Sequence, residues 1–136
     1  SPTLTLQLYA QPLIVSGSYS NFKEFDRPRS LDRSVYGVDK GTISLAGGTY
    51  TVDPDAAGPA PSFTFSDPNF NFRSLRGSAV LRWEYRPGST MYVVWTQARS
   101  GSASVGDLDV GRDVHAMLGA PPDNIFMVKF SYWLGF

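Results

Sequence analysis

Chemistry needs particular side chains held close together, and this sequence offers few of them. His115 is the single histidine and there is no cysteine. A thiolate nucleophile is therefore excluded, as is a zinc site built from nitrogen and sulfur ligands. His115 stands near Asp113 and serines are plentiful, but no Gly-x-Ser-x-Gly elbow gives a Ser–His–Asp arrangement its nucleophile. A surface or loop-packing histidine is the better reading. The aspartates offer more. Asp53-x-Asp55-x-x-Gly58 and Asp107-x-Asp109-x-Gly111-x-Asp113 set carboxylates at close spacing beside a glycine, a hard-oxygen pattern that suits calcium. The closing glutamate of an EF-hand is missing, and Asp107 or Asp109 is equally suited to capping a following helix. Both readings stand, with Asp107, Asp109 and Asp113 as the calcium candidates. Glu24 and Glu84 are the only glutamates, and nothing places either beside an aspartate as a glycosidase pair requires. Neither an enzymatic activity nor a cofactor is expected.

The elements that would carry these residues are strands. Thirteen glycines and ten prolines in 136 residues are too many for a helical bundle. Twelve basic residues balance twelve acidic ones, which gives no electrostatic reason to expect a nucleic-acid partner. No run approaches the roughly 20 apolar residues of a membrane helix, whereas a barrel strand needs only about 9–11 with one apolar face. The chain begins at Ser1 with neither a methionine nor a signal peptide, which reads as a mature protein or a fragment.

Alternation marks four strands, at about 2–14, 77–86, 89–98 and 124–136. In the first, Leu4, Leu6 and Leu8 share a side. In the second, Ala79, Leu81, Trp83 and Tyr85 oppose Ser78, Val80, Arg82, Glu84 and Arg86. Pro87-Gly88 is a tight-turn signal before the third. In the last, Phe126, Val128, Phe130, Tyr132, Leu134 and Phe136 take one side, against Ile125, Met127, Lys129, Ser131, Trp133 and Gly135. An apolar face that runs to the end of the chain is unusual in water but suits a lipid-facing strand. The segments 16–76 and 99–123 read as long loops. The first has short strands of its own at Thr42–Leu45, Thr49–Val52 and Ser62–Phe65, and the second a short helix at about 110–118 that Gly119 and Pro121-Pro122 end. The Phe70/Phe72 pair falls before the second strand and reads as a brace of the external loop.

The expectation is an all-β unit of antiparallel membrane-type strands, part of an outer-membrane β-barrel. Long external loops would alternate with a short periplasmic turn. Arg82, Glu84, Arg86 and Lys129 would face the lumen, where they either set charge selectivity or pair with one another. Trp83, Trp95 and Trp133 invite a sugar-stacking reading, but lipid or core explains Trp83 better. Four strands cannot close on themselves, so the partners are the lipid bilayer and either the remaining strands of a longer barrel or further copies of this chain. The alternative is a soluble or extracellular β-rich module that forms filaments through its strand edges and apolar face.

The segment Lys129-Phe-Ser-Tyr-Trp-Leu-Gly-Phe136 resembles the C-terminal signal of bacterial outer-membrane barrels, with Ser131 where glycine is usual. Lys129, Tyr132, Leu134 and Phe136 carry that likeness. Asn69-Phe-Asn-Phe-Arg-Ser-Leu-Arg-Gly-Ser-Ala-Val-Leu-Arg-Trp-Glu-Tyr-Arg-Pro-Gly-Ser-Thr90 is similar to a family of uncharacterised outer-membrane proteins. In that family the barrel follows a family-nine carbohydrate-binding module. Leu6–Pro12, Tyr92–Gln97 and Asn124–Leu134 are similar as well. The resemblance covers nearly all of this chain but only the C-terminal end of such a protein. It implies a bacterial outer-membrane location and recognition by the outer-membrane assembly machinery; it implies no reaction.

Overall fold

The structure is a computed structural model and describes residues 3–135. It is mostly antiparallel β with one short helix. The strands are β1 (Leu4–Gly17), β2 (Lys23–Phe25), β3 (Arg33–Val35), β4 (Thr42–Ala46), β5 (Thr49–Asp53), β6 (Phe63–Ser66), β7 (Phe70–Arg86), β8 (Ser89–Ala103) and β9 (Asp123–Ser131). Helix α1 (Val110–Gly119) lies between β8 and β9. The chain divides into two compact units. One holds the residues up to Val15, Asn71–Ala103 and everything from Leu108; the other holds Ser16–Phe70 and Ser104–Asp107.

The first unit is a four-stranded sheet in the order β1-β7-β8-β9, and it does not close into a barrel. The residues Pro87 and Gly88 make the turn between β7 and β8, with Gly88 at φ 74°, the left-handed conformation glycine adopts without penalty. Two strands are longer than the alternation predicts. β7 starts at Phe70, not Gly77, and β8 continues to Ala103, so Phe70 and Phe72 belong to a strand. Apolar alternation stops near Leu75, but the hydrogen-bonded ladder continues because ladders need backbone, not hydrophobic side chains. The last strand is shorter than predicted. β9 ends at Ser131, and Tyr132–Gly135 leave the sheet; Phe136 lies outside the described residues.

The second unit has a small core of its own. β4, β5 and β6 form a three-stranded meander, at the three places where the sequence shows short strands. β2 and β3 pair as a separate hairpin that three-residue, charge-bearing runs do not announce. Val52 is fully buried and Tyr36 nearly so. In the same unit Phe22, Tyr50 and Phe65 pack with centroids 4.8–5.1 Å apart, in the range of favourable aromatic pairs. Lys40 pairs with Glu24, whose other oxygen accepts from the Tyr36 hydroxyl.

Three glycines of this unit do two kinds of work. Gly47 and Gly48 close the β4–β5 hairpin at φ 57° and 76°, the two positive values of a type I′ turn. A Cβ on Gly47 meets nothing within 4 Å, whereas one on Gly41 falls 2.1 Å from the Asp53 carbonyl oxygen. Gly47→Ala should therefore cost only the left-handed penalty of about 1–2 kcal/mol. Gly41→Ala, at φ 57°, carries that penalty and must also displace backbone. Urea unfolding followed by the near-ultraviolet signal of the aromatic cluster should rank Gly41→Ala clearly below Gly47→Ala. Equal midpoints would refute the close approach.

Candidate functional site

The feature that invites a partner is the two-sidedness of the four-stranded sheet. β7 and β8 pair without a slip from Asn71↔Ala103 to Glu84↔Thr90, and β8 and β9 from Thr90↔Ser131 to Ala98↔Asp123. Residues directly opposite share a face, so each row can be read across the strands. One face carries Trp83–Met91–Phe130, Leu81–Val93–Val128 and Ala79–Trp95–Phe126. Gln11 and Leu13 of β1 line a groove with Phe72, Ser74 and Arg76 on the other face. By alternation Leu4, Leu6 and Leu8 therefore join the apolar rows. The rows are open at their β1 and β9 ends, where Leu8 is 75% exposed, Phe126 71% and Phe130 68%, and half-buried in between at Leu81, Met91 and Val93.

Aromatic and polar groups border this band at both ends. At one end the Trp95 and Phe126 rings stack 6.2 Å apart. Beyond them Asn124 Oδ1 accepts from Trp95 Nε1 and Gln97 Nε2, each at 2.9 Å. Gln97 in turn accepts from Arg99 Nε at 2.9 Å. At the other end Trp83 meets Tyr85 edge-on at 6.0 Å, and the Tyr85 hydroxyl donates to the Ser131 carbonyl. Between these limits the apolar side of β7 runs from Gly77, opposite Gln97, to Tyr85, a rise of about 26 Å along the strand.

The opposite face is mixed. Arg82, Tyr92 and Lys129 form one row and Val80, Val94 and Met127 the next. The structure thus brings Arg82, Glu84 and Lys129 to one side of the sheet. Arg82 Nη2 lies 3.4 Å from Glu84 Oε2, both half-exposed, a geometry worth well under about 1 kcal/mol. Arg86 does not join them. An irregularity between Glu84 and Arg86 breaks the alternation. Its guanidinium instead donates to the Tyr132 hydroxyl at 2.6 Å and lies 5.1 Å from that ring's centre. Trp133 N donates to the buried Ser89 hydroxyl, so the segment after β9 is pinned to the β7–β8 turn. Leu134 is exposed.

The aspartates are used by the protein itself. Asp109 caps α1, with Oδ1 accepting from Arg112 N at 2.9 Å. Asp113 is fully buried and accepts from Arg112 Nε and Asn71 Nδ2, each at 3.0 Å, and from Asp109 N at 3.1 Å; Arg73 Nη1 stands 3.5 Å away. Asp53 and Asp55 accept from backbone N–H groups of their own turn, and Asp107 lies in the other unit. Among the described residues no group of three acidic or histidine side chains is placed to hold a metal ion. The cluster around Asp113 was not legible in the sequence, because Asn71 and Arg73 lie some 40 positions away. The one available signal was Asn and Arg at alternate positions before an apolar strand. His115 is exposed on α1.

No protein-family model, curated protein or solved structure matches this chain.

The Arg112 guanidinium, helped by the Asn71 amide and the Asp109 N–H, holds the Asp113 carboxyl below its usual range, against the opposing pull of burial. A carboxylate with a depressed folded-state pKa stabilises above its unfolded value of about 3.9. That contribution disappears as the pH falls through the lower folded value. The amide resonances of residues 110–119 should hold steady from pH 7 to about 4 and shift only below it. Asp113→Asn should remove that acid transition. A transition centred above pH 5, or one that persists in the variant, would contradict this assignment.

Proposed function

We propose that this chain is a non-enzymatic section of a bacterial outer-membrane β-barrel, with a structural or pore-forming role. One observation carries the reading: a continuous exposed apolar face, bordered at both ends by aromatic and polar groups, on a sheet whose other face holds Arg82, Glu84 and Lys129. In water each large apolar side chain left exposed forgoes about 1.5–3 kcal/mol of burial. Lipid supplies that burial with no second protein layer. Tilted by about 35–45°, the apolar stretch of β7 would project to about 19–22 Å, within the roughly 25 Å band of a barrel. Trp83 and Tyr85 would then lie at one interface, with Trp95 and Asn124 toward the other, where amphipathic rings are favoured.

The open edges set the partners. Among the described residues β1 pairs only with β7, and β9 only with β8. In lipid each unpaired backbone group costs several kcal/mol. Further strands, from a longer polypeptide or from other copies of this chain, must complete the sheet. Lys129, Tyr132, Leu134 and Phe136 would present the assembly signal to the outer-membrane machinery. Neither nucleic acid nor a cofactor has a place in this reading.

In detergent or vesicles the chain should give a β-rich circular dichroism spectrum and a defined assembly, and in plain buffer neither. A monodisperse β-rich monomer in plain buffer, seen by light scattering, would overturn the proposal. Large regular particles there would favour an extracellular filament built through the same face and edges. A second test is specific to the faces. Val128→Arg should destabilise the vesicle-bound form by about 2–4 kcal/mol, whereas Lys129→Glu on the opposite face should leave it folded. Denaturant titration in vesicles that ranked the two the other way would reverse the sheet's orientation.

A further inference from the structure

Helix α1 is fixed to the apolar side of the sheet, not to the side with Arg82 and Lys129. Its buried side chains are Asp113 and Met117. Asp113 is held by Asn71 and Arg73, and the Leu118 carbonyl accepts from Arg99. In the unbroken β7–β8 register Asn71, Arg73 and Arg99 occupy the same face as Leu81, Trp83, Val93 and Trp95. The helix also stands beyond the border of the apolar band. From Trp95 the hydrogen bonds step through Asn124, Gln97 and Arg99 to Leu118. Beside the face that holds Asp113 and Met117 the helix leaves apolar side chains open: Val110, on the edge of that face at the first turn, is 64% exposed, and Leu118, on the adjoining flank, 53%.

We infer that α1 is an interfacial helix, seated on the outer surface of the barrel wall at the height of the lipid headgroups, with Val110 and Leu118 entering the boundary between headgroups and acyl chains. The inference rests on the membrane reading of the sheet and adds to it. A helix on the lipid side of the wall cannot plug a lumen, and one beyond the Gln97–Asn124 border is too high to lie among the acyl chains. Two features suit that depth. It is a short amphipathic element with an apolar stripe, the kind that lies in the interface plane. It is also held by buried ionic and hydrogen-bonded contacts, so its position does not depend on lipid alone.

The absence of cysteine makes single labelling sites available. Leu118→Cys, Val128→Cys and Thr96→Cys, each carrying an environment-sensitive fluorophore, would be reconstituted into phosphatidylcholine vesicles with nitroxide at a shallow or a deep acyl position. Val110→Cys would repeat the helix measurement should Leu118→Cys fold poorly. The label at 118 should be quenched at least twofold more by the shallow nitroxide than by the deep one. The label at 128 should respond to the deep one, and the label at 96 to neither. If 128 responds but 118 is quenched only by aqueous iodide, the helix is in water and the inference falls while the membrane reading stands. Quenching at 118 by the deep nitroxide equal to that by the shallow one would also overturn it. If 128 responds to neither nitroxide, the membrane reading itself fails and takes the inference with it.

Discussion

The unslipped pairing of β7 with β8 is the constraint on which the rest of the first unit depends. A strand's side chains alternate with a period of two, so a shift of one residue would send every apolar group to the other face. From Asn71 to Glu84 no such shift occurs. This one ladder therefore aligns Leu81 with Val93, places Trp83 and Trp95 on the same side, and sets Asn71 and Arg73 where α1 meets them. The register breaks only at the turn, between Glu84 and Arg86. The break frees Arg86 from the alternation and lets it reach Tyr132.

The far end of the same strands is held by different physics. Beyond Leu75 the β7 face turns polar, and an apolar layer cannot cover it. A buried carboxylate costs several kcal/mol unless it is paired and hydrogen-bonded. Asp113 meets both conditions through Arg112, Arg73 and Asn71. Such a cluster tolerates little displacement, since removal of one member leaves a buried charge behind. It therefore fixes where α1 sits more sharply than Met117, the helix's buried apolar side chain, could alone. Hydrophobic alternation and a buried ionic cluster thus divide the strands between them, and the division falls at the polar border of Gln97 and Asn124.

What the sequence made legible follows from the range of each interaction. Alternation is local, so the two-faced strands, the Pro87-Gly88 turn and the helix near 110–118 could be read directly. The three short strands between Thr42 and Ser66 were legible for the same reason, with the Gly47-Gly48 turn between the first two. The full reach of β7 and β8 was not, because a ladder of polar residues has no hydrophobic period. The end of β9 was misread for the opposite reason. Its alternation continues to Phe136, but the described residues after Ser131 trade ladder bonds for contacts with Ser89 and Arg86. The roles of Asp109 and Asp113 were half legible: the cap at Asp109 was expected from its place before the helix, whereas the distant arginine and asparagine that hold Asp113 were not.

The second unit shows what the first lacks. Between Ser16 and Phe70 the chain makes a small core, with Val52 fully buried opposite Phe63 and an aromatic cluster of Phe22, Tyr50 and Phe65. The first unit has strands three times as long and far more apolar surface, yet its fully buried side chains are polar: Asn71, Ser89 and Asp113. Sequences that fold in water spend their large apolar residues on a core. Here Leu8, Phe126 and Phe130 are turned outward by a register that the backbone holds firmly. In water such an inversion forgoes the burial that an apolar neighbour would supply, and this is why the face of the sheet, not a pocket or a cluster of reactive groups, carries the functional argument.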